Sequence, residues 1–169
     1  MGYGVLVADP PWSFDDKLPG PGRGAEKHYS VLTLEGIKAF TLPEMNDDSY
    51  LFLWRVASQV EEAYQVVRAW GFTPKTEIVW NKLTVNGKPW FGMGRHTRAA
   101  HESCILAVRG KPKPKVRNIR STFEAVAAPK HSQKPEGFYD LVERLCEGPY
   151  CEIFARRHRP GWDCFEDEL

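Results

Sequence analysis

Several features that would assign a protein class at once are missing from this 169-residue sequence. The formal net charge is only +1, so no global basic field indicates nucleic acid or a membrane surface. The four cysteines form no CxxC pair and lack the spacing of structural zinc sites, so we expect no metal. No apolar run approaches the roughly 18 residues of a membrane-spanning helix, and no signal-peptide pattern is present. These absences predict a cytoplasmic protein that contacts no membrane.

Aromatic residues, by contrast, are abundant, at 12% of the chain including six tryptophans. Charge is also unevenly distributed, with five cations in residues 111–120 and three carboxylates in residues 166–168. The chain is long enough to bury a core but short for two, and it contains no repeat or linker. We therefore expect a single domain over residues 1–169.

Short apolar runs alternate with amphipathic stretches along the whole chain. The runs predict buried strands at residues 3–8, 50–54, 76–80, 103–108, 123–127 and 150–155. Between them, helical spacing and cap signals predict helices that begin after Thr33, after a capping box at Ser58 and Glu61, and at Pro135. The second of these helices is expected to stop at Gly71. This alternation predicts an α/β fold with a mostly parallel sheet and helices on both faces.

The stretch Asp9-Pro10-Pro11-Trp12 directly follows the first predicted strand. Open α/β sheets bind their ligands at the carboxyl edge of the sheet, where this stretch is expected to lie. The two prolines fix φ and remove two backbone donors, so the main chain is stiff and presents carbonyl acceptors. Rigid acceptors beside an indole fit a flat molecule that carries an amino group, such as adenine or cytosine.

Three long polar connections complete the pattern. Residues 13–32 are rich in proline and glycine and predict a mobile lid. The other two, residues 81–100 and 111–120, carry cations that are candidates for phosphate contacts. These candidates are Arg95, His96, Arg98, Lys113, Lys115 and Arg117.

An ordered series of motifs resembles the DPPW-motif N6-adenine methyltransferase family, named for the seventy-kilodalton subunit of the mRNA N6-adenosine methyltransferase. The chain is most similar in length to short bacterial and phage members. The matching segments cover roughly residues 3–165. They are Asp9-Pro10-Pro11-Trp12 and residues 29–35, 51–54, 69–72, 78–82, 101–104, 131–135 and 152–157.

The resemblance implies a Rossmann-like fold in circularly permuted order, with S-adenosylmethionine as methyl donor. The strands at residues 5–8 and 152–155 should then lie side by side. The resemblance also implies that Asp9 and Lys134 face the cofactor, with Lys134 pairing with its carboxylate. The adenosine end of the cofactor would be lined by Phe154, Arg156 and His158. Tyr29 would shape the lid. Asp167 and Glu168 could accept hydrogen bonds from the ribose, although the family's usual glycine is missing there.

The chemistry expected of the motif follows from the adenine amine, which is a poor nucleophile because its lone pair is delocalised into the ring. Asp9 and the Pro10 carbonyl offer acceptors for the amine hydrogens, Pro11 stiffens the turn, and Trp12 offers a face for stacking on the base. Because a carboxylate is a weak base for this amine, we expect Asp9 to position it rather than deprotonate it.

The resemblance predicts N6-adenine methylation of nucleic acid in a bacterial or phage-infected cell, with DNA favoured over RNA. Two alternatives stay open: a catalytically silent nucleic-acid-binding partner subunit, and an amino-methyltransferase acting on N4 of cytosine. Whether the chain forms a homodimer or a heterodimer is also open.

Overall fold

The structure is a computed structural model that describes residues 1–12, 33–127 and 133–165. The predicted lid at residues 13–32, with Tyr29, lies outside the described residues, as do Asp167 and Glu168. No helix among the described residues is both long and apolar enough to cross a membrane.

The described residues form seven strands in one sheet. In chain order these are β1 (Tyr3–Ala8), β2 (Met45–Arg55), β3 (Thr73–Leu83), β4 (His101–Arg109), β5 (Thr122–Val126), β6 (Tyr150–Ile153) and β7 (Trp162–Phe165). Their order across the sheet is β5-β3-β4-β2-β1-β6-β7. Of these strands only β4 is antiparallel to its neighbours, so the predicted mostly parallel sheet is confirmed.

The first strand lies in the interior of the sheet because its side chains are apolar on both faces. Val5 and Val7 belong to one buried cluster, whereas Leu6 and Ala8 belong to the other. β1 pairs in parallel with β2 on one side and with β6 on the other, where Ala8 lies opposite Ile153. The expectation that the motif strand and the C-terminal strand are neighbours is therefore confirmed.

Within the part of the chain that the structure describes, three helices cover the two faces: α1 (Leu34–Lys38), α2 (Val60–Ala69) and α3 (Glu136–Leu145). α1 and α2 contribute Ile37, Val66 and Val67 to the cluster that holds Leu6. α3 contributes Phe138 and Val142 to the cluster on the opposite face. Helices on both faces of the sheet were predicted, and this is confirmed.

The helix termini confirm some cap predictions and correct others. The Thr33 hydroxyl accepts a hydrogen bond from the Gly36 N–H at 3.1 Å, and Gly71 follows α2 with a φ of 83°. The capping box at Ser58 was wrong, because residues Ala57–Gln59 form a 3₁₀ turn and α2 begins after Gln59 without a side-chain cap. Pro135 is the N-cap of α3 rather than its first helical residue.

The C-terminal part of the chain differs most from the prediction. β6 ends at Ile153, and the tail contributes a further strand, β7, that pairs in parallel with β6. Phe154 leaves the sheet with a φ of 59°, a left-handed conformation that a residue with a Cβ rarely adopts. The chain therefore turns sharply at the carboxyl end of β6, beside the end of β1.

Candidate active site

One edge of the sheet collects the polar side chains. β1, β3 and β6 end at this edge, and the antiparallel β4 begins there. Asp9 follows β1, Glu102 is the second residue of β4, and Phe154 follows β6. Lys134 arrives from the segment that precedes α3, so four separate elements meet at this edge.

The carboxylate of Asp9 is held by two cations. Its Oδ2 atom lies 3.4 Å from the Lys134 ammonium and 4.0 Å from Nε of Arg156. Only 15% of the Asp9 side chain is exposed, so solvent screens these charges weakly. The ion pairs fix the direction in which the carboxylate points.

Lys134 is a buried cation shared by two carboxylates. Its ammonium donates to Oε1 of Glu102 at 2.6 Å and lies 4.8 Å from the centre of the Trp54 ring. Burial alone would lower the pKa of Lys134, but the carboxylates of Asp9 and Glu102 raise it above its usual value. Lys134 is therefore charged at neutral pH.

Glu102 links this lysine to a second one. Its Oε2 atom lies 2.7 Å from the ammonium of Lys82, which itself lies 5.1 Å from the centre of the Trp80 ring. Burial would raise the pKa of Glu102, but Lys134 and Lys82 together lower it. A continuous chain of alternating charge therefore runs from Asp9 to Lys82.

A small cavity opens between the ends of β1 and β6. Its lining combines both signs of charge with two aromatic rings. The lining residues are Asp9, Gln133, Lys134, Tyr139, Glu152, Phe154, Arg156 and Arg157. Lys134, Phe154 and Arg156, which the resemblance assigns to the cofactor, therefore share one cavity with Asp9.

Glu152 lies at the wall of this cavity and is almost completely buried. It accepts a hydrogen bond from the Tyr139 hydroxyl at 2.8 Å. Burial raises the pKa of Glu152 to about 7, while the tyrosine hydrogen bond and the Arg157 charge work in the opposite direction. The carboxyl group of Glu152 consequently changes its charge near neutral pH.

The turn after β6 is fixed by packing. The centre of the Phe154 ring lies 4.8 Å from the centre of the Phe40 ring. The backbone N–H of Phe154 donates to the Phe165 carbonyl at 3.1 Å. The Arg157 guanidinium lies 4.8 Å from the centre of the Tyr139 ring and 2.7 Å from the Glu136 carboxylate. The buried Nε and Nη2 atoms of Arg157 have no hydrogen-bond partner among the described residues. Arg157, a residue of the cavity lining, therefore has two unsatisfied donors.

Arg159 ties this turn to α3. Its guanidinium forms ion pairs with Glu136, with Asp140 at 2.7 Å and with Glu143 at 2.9 Å. Glu143 also accepts a hydrogen bond from the Trp162 indole at 2.8 Å. The segment between β6 and β7 is therefore clamped along the exposed face of α3.

Trp12 and Pro10, which belong to the same motif as Asp9, form hydrogen bonds that hold the motif against the core. Trp12 is 6% exposed, and its indole donates to the Trp54 carbonyl at 3.1 Å. The Pro10 carbonyl accepts the Trp12 N–H at 2.8 Å, which leaves one lone pair for another donor. Trp12 is thus anchored in the core among the described residues, and its stacking on a base stays a prediction.

The remaining sequence-predicted cations lie in different places. His158 is exposed and is not part of the cavity lining. Arg95, His96 and Arg98 are exposed on the connection between β3 and β4, at the same sheet edge as Asp9. Their phosphate contacts stay a prediction.

The structure does not bring Lys113, Lys115 and Arg117 to Asp9. β4 is antiparallel, so the chain leaves it at the opposite edge of the sheet. There the Lys115 ammonium donates to the Glu143 carbonyl at 3.1 Å, in the last turn of α3. Lys113 lines a separate groove beside Gly4 and Gly148.

Four residues of the site had no role assigned from the sequence: Lys82, Glu102, Tyr139 and Glu152. The segment His101-Glu102-Ser103-Cys104 matches a family motif, so an acidic residue opening a strand at this edge was the available signal. Within the described residues, no group of three or more His, Cys, Asp or Glu side chains is arranged to hold a metal ion.

Comparison with known proteins agrees with this geometry. The family model described as MT-A70 matches residues 3–168. This chain belongs to the MT-A70 family. MT-A70 methyltransferases use S-adenosylmethionine as the methyl donor.

Curated members of the MT-A70 family are similar over nearly the whole chain. The N(6)-adenosine-methyltransferase subunit METTL3 of Danio rerio is 28% identical over 178 residues, which cover 99% of this chain and 28% of the relative. The human catalytic subunit METTL3 is 27% identical, with the same coverage. The human N(6)-adenine-specific methyltransferase METTL4 is 25% identical over 187 residues, 37% of its length.

The chain thus spans about a quarter to a third of the length of these relatives. All three are eukaryotic proteins, so the similarity to short bacterial and phage members stays a prediction, as does a cytoplasmic location.

Proposed function

We propose that this chain transfers a methyl group from S-adenosylmethionine to the N6 amino group of adenine in nucleic acid, with DNA favoured over RNA. The observation that carries the proposal is the Asp9 carboxylate, fixed by Lys134 and Arg156 in a cavity between β1 and β6. The preference for DNA rests on the predicted similarity to compact bacterial and phage members, whereas the names of the METTL3 relatives specify adenosine, a ribonucleoside.

The lining of the cavity fits a methyl donor that carries a carboxylate, an ammonium group and a sulfonium. The partnerless donors of Arg157 and the third ammonium hydrogen of Lys134 suit the carboxylate. Asp9 and the anionic form of Glu152 suit the positive groups. When bound, S-adenosylmethionine supplies an electrophilic methyl group.

The residues of the motif then position the acceptor base. Asp9 accepts one hydrogen of the adenine amine, and the free lone pair of the Pro10 carbonyl accepts the other. With both hydrogens held, the amine nitrogen would be fixed in one orientation, and such alignment lowers the barrier by removing wrong orientations. Lys134 keeps the carboxylate from turning away, because it is itself held by Glu102, and the Arg156 guanidinium lies on the same carboxylate oxygen.

The test is to incubate the protein with labelled S-adenosylmethionine and matched single-stranded DNA, single-stranded RNA or duplex DNA. Methylated nucleosides are then identified by mass spectrometry, and cofactor binding is measured by calorimetry. We expect N6-methyladenine, with the highest rate on DNA, and a loss of at least about 100-fold in Asp9→Ala, the scale of one essential polar group.

Each alternative has its own outcome. Transfer that survives in Asp9→Ala would contradict the site. Methylation at N4 of cytosine would favour the second reaction class, and a protein that binds nucleic acid but no S-adenosylmethionine would be a silent partner subunit. A higher rate on RNA would reverse the expected preference.

A further inference from the structure

The connection between β3 and β4 exposes apolar side chains that the fold does not use. Phe91 is 76% exposed, Met93 is 83% exposed and Trp90 is 38% exposed. Clustered exposed apolar groups of this size mark a binding surface more often than scattered single residues do. We call this group, Trp90, Phe91 and Met93, the aromatic tip.

Backbone hydrogen bonds hold the aromatic tip in place. The Trp90 N–H donates to the Lys82 carbonyl at 3.0 Å, and the Gly92 N–H donates to the Ala99 carbonyl at 2.9 Å. Ala99 in turn donates to the Met93 carbonyl at 2.9 Å. The tip is therefore a closed hairpin, and its rings are presented at a low entropic cost to any partner.

The connection that carries the tip has charge of one sign. Residues 84–100 contain Lys88, Arg95, His96 and Arg98 and no aspartate or glutamate. The Arg98 guanidinium lies 5.1 Å from the centre of the Phe91 ring. A cation resting on an exposed aromatic face, in a connection that contains no aspartate or glutamate, is complementary to a polyanion that also carries flat rings.

The tip is also connected to the sheet edge that holds Asp9 and Lys134. Lys82, whose carbonyl holds Trp90, has its ammonium 2.7 Å from Glu102, which in turn binds Lys134. The hairpin that carries the tip therefore leaves the sheet at the same edge as Asp9 and Lys134, where a target base would enter the cavity. Only an unpaired neighbour exposes the face that Phe91 needs, because bases within a duplex are already stacked.

We infer that Phe91 of the aromatic tip stacks on an unpaired base that neighbours the target adenine, while Arg95, His96 and Arg98 contact the adjoining phosphates. This inference rests on the proposed function for the identity of the target and makes single-stranded or locally opened nucleic acid the substrate. A second copy of this chain is the competing occupant of the same surface.

The experiment measures the binding of a fluorescent single-stranded oligodeoxynucleotide by anisotropy, at several salt concentrations. We expect Phe91→Leu and Phe91→Ala to weaken binding about 5- to 100-fold, the range that one stacked base contributes, while Phe91→Trp keeps it. The slope of log affinity against log salt should stay unchanged in Phe91→Leu and fall by about one in Arg95→Ala. Val85→Ala, at an 86% exposed position in the neighbouring turn, is the matched control and should bind normally.

Leucine at position 91 preserves an apolar side chain but not a π-face, so binding by Phe91→Leu at wild-type strength would overturn the inference. So would sedimentation showing a wild-type dimer that Phe91→Ala dissociates without loss of oligonucleotide affinity, since a second copy would then cover the tip. Thermal melting of each variant checks folding.

Failure of this inference can be distinguished from failure of the proposed function. Methyl transfer with no dependence on Phe91 overturns the stacking contact alone. Phe91-dependent binding without transfer overturns the proposed reaction alone. If both hold, Phe91→Leu raises the KM for the oligonucleotide and leaves kcat and the Kd for S-adenosylmethionine unchanged.

Discussion

Replacing Glu152 with glutamine removes the titration of a buried carboxyl group while preserving its shape. The amide oxygen of Glu152→Gln can still accept the hydrogen bond that Tyr139 donates at 2.8 Å. The pKa of Glu152 is raised from 4.5 to about 7, mainly by burial. Between these two values the folded protein retains the proton and the unfolded chain releases it.

The direction and size of the effect follow from proton linkage. Because the unfolded state binds fewer protons than the folded state between about pH 4.5 and 7, wild-type stability decreases as the pH rises through this window and then levels off. One pKa unit corresponds to about 1.4 kcal/mol, so the whole shift amounts to roughly 3 kcal/mol. Relative to wild type, Glu152→Gln should therefore gain roughly 3 kcal/mol of stability between pH 4 and pH 8.

The assay is urea denaturation of both proteins at closely spaced pH values, with the free energy of unfolding obtained by linear extrapolation. Glu124→Gln, at an exposed position of β5, is the matched control for the removal of one carboxylate. The reasoning is refuted if the stability difference between Glu152→Gln and wild type is the same at pH 4 and pH 8.

Two further substitutions test the charged clusters. Lys134→Met leaves the carboxylates of Asp9 and Glu102 without their shared cation. We therefore expect the free energy of unfolding, measured by urea denaturation, to fall by about 3 kcal/mol, together with loss of methyl transfer. Wild-type stability would contradict the shared ion pair. Arg159→Met releases the turn after β6 from α3. Because the partners Glu136 and Asp140 are exposed, we expect only about 1 kcal/mol of destabilisation. We also expect weaker binding of S-adenosylmethionine, measured by calorimetry. Unchanged cofactor affinity in Arg159→Met would limit the clamp to a structural role.

Local signals in the sequence were sufficient for the elements that position the motif. β1 was predicted with its observed bounds, because a continuous apolar run between breakers is typical of a strand buried on both faces. Thr33 and Gly71 were recognised because a cap depends on one residue and its own backbone. The neighbouring position of β1 and β6 came from the family resemblance, since no local pattern specifies strand order.

The errors and omissions have a common cause in long-range contacts. Ser58 and Glu61 have the spacing of a capping box, but the chain leaving β2 forms a 3₁₀ turn at Ala57–Gln59 first. β7 has only four residues, and its register is determined by pairing with β6. Glu102 binds a lysine 32 positions away, so no periodicity could connect the two.

Helix α3 couples the two halves of the site through one ring. The Tyr139 hydroxyl binds Glu152 inside the cavity, while the guanidinium groups of Arg157 and Arg159 lie 4.8 and 5.6 Å from the centre of the Tyr139 ring. The Tyr139 ring also packs against Trp162 at 5.3 Å, so β7 is held by the same residue. Since Lys134 immediately precedes α3, a displacement of this helix moves the cation beside Asp9 and the turn after β6 together. Under the proposed function, we therefore expect positioning of the target amine and binding of the methyl donor to be linked through α3.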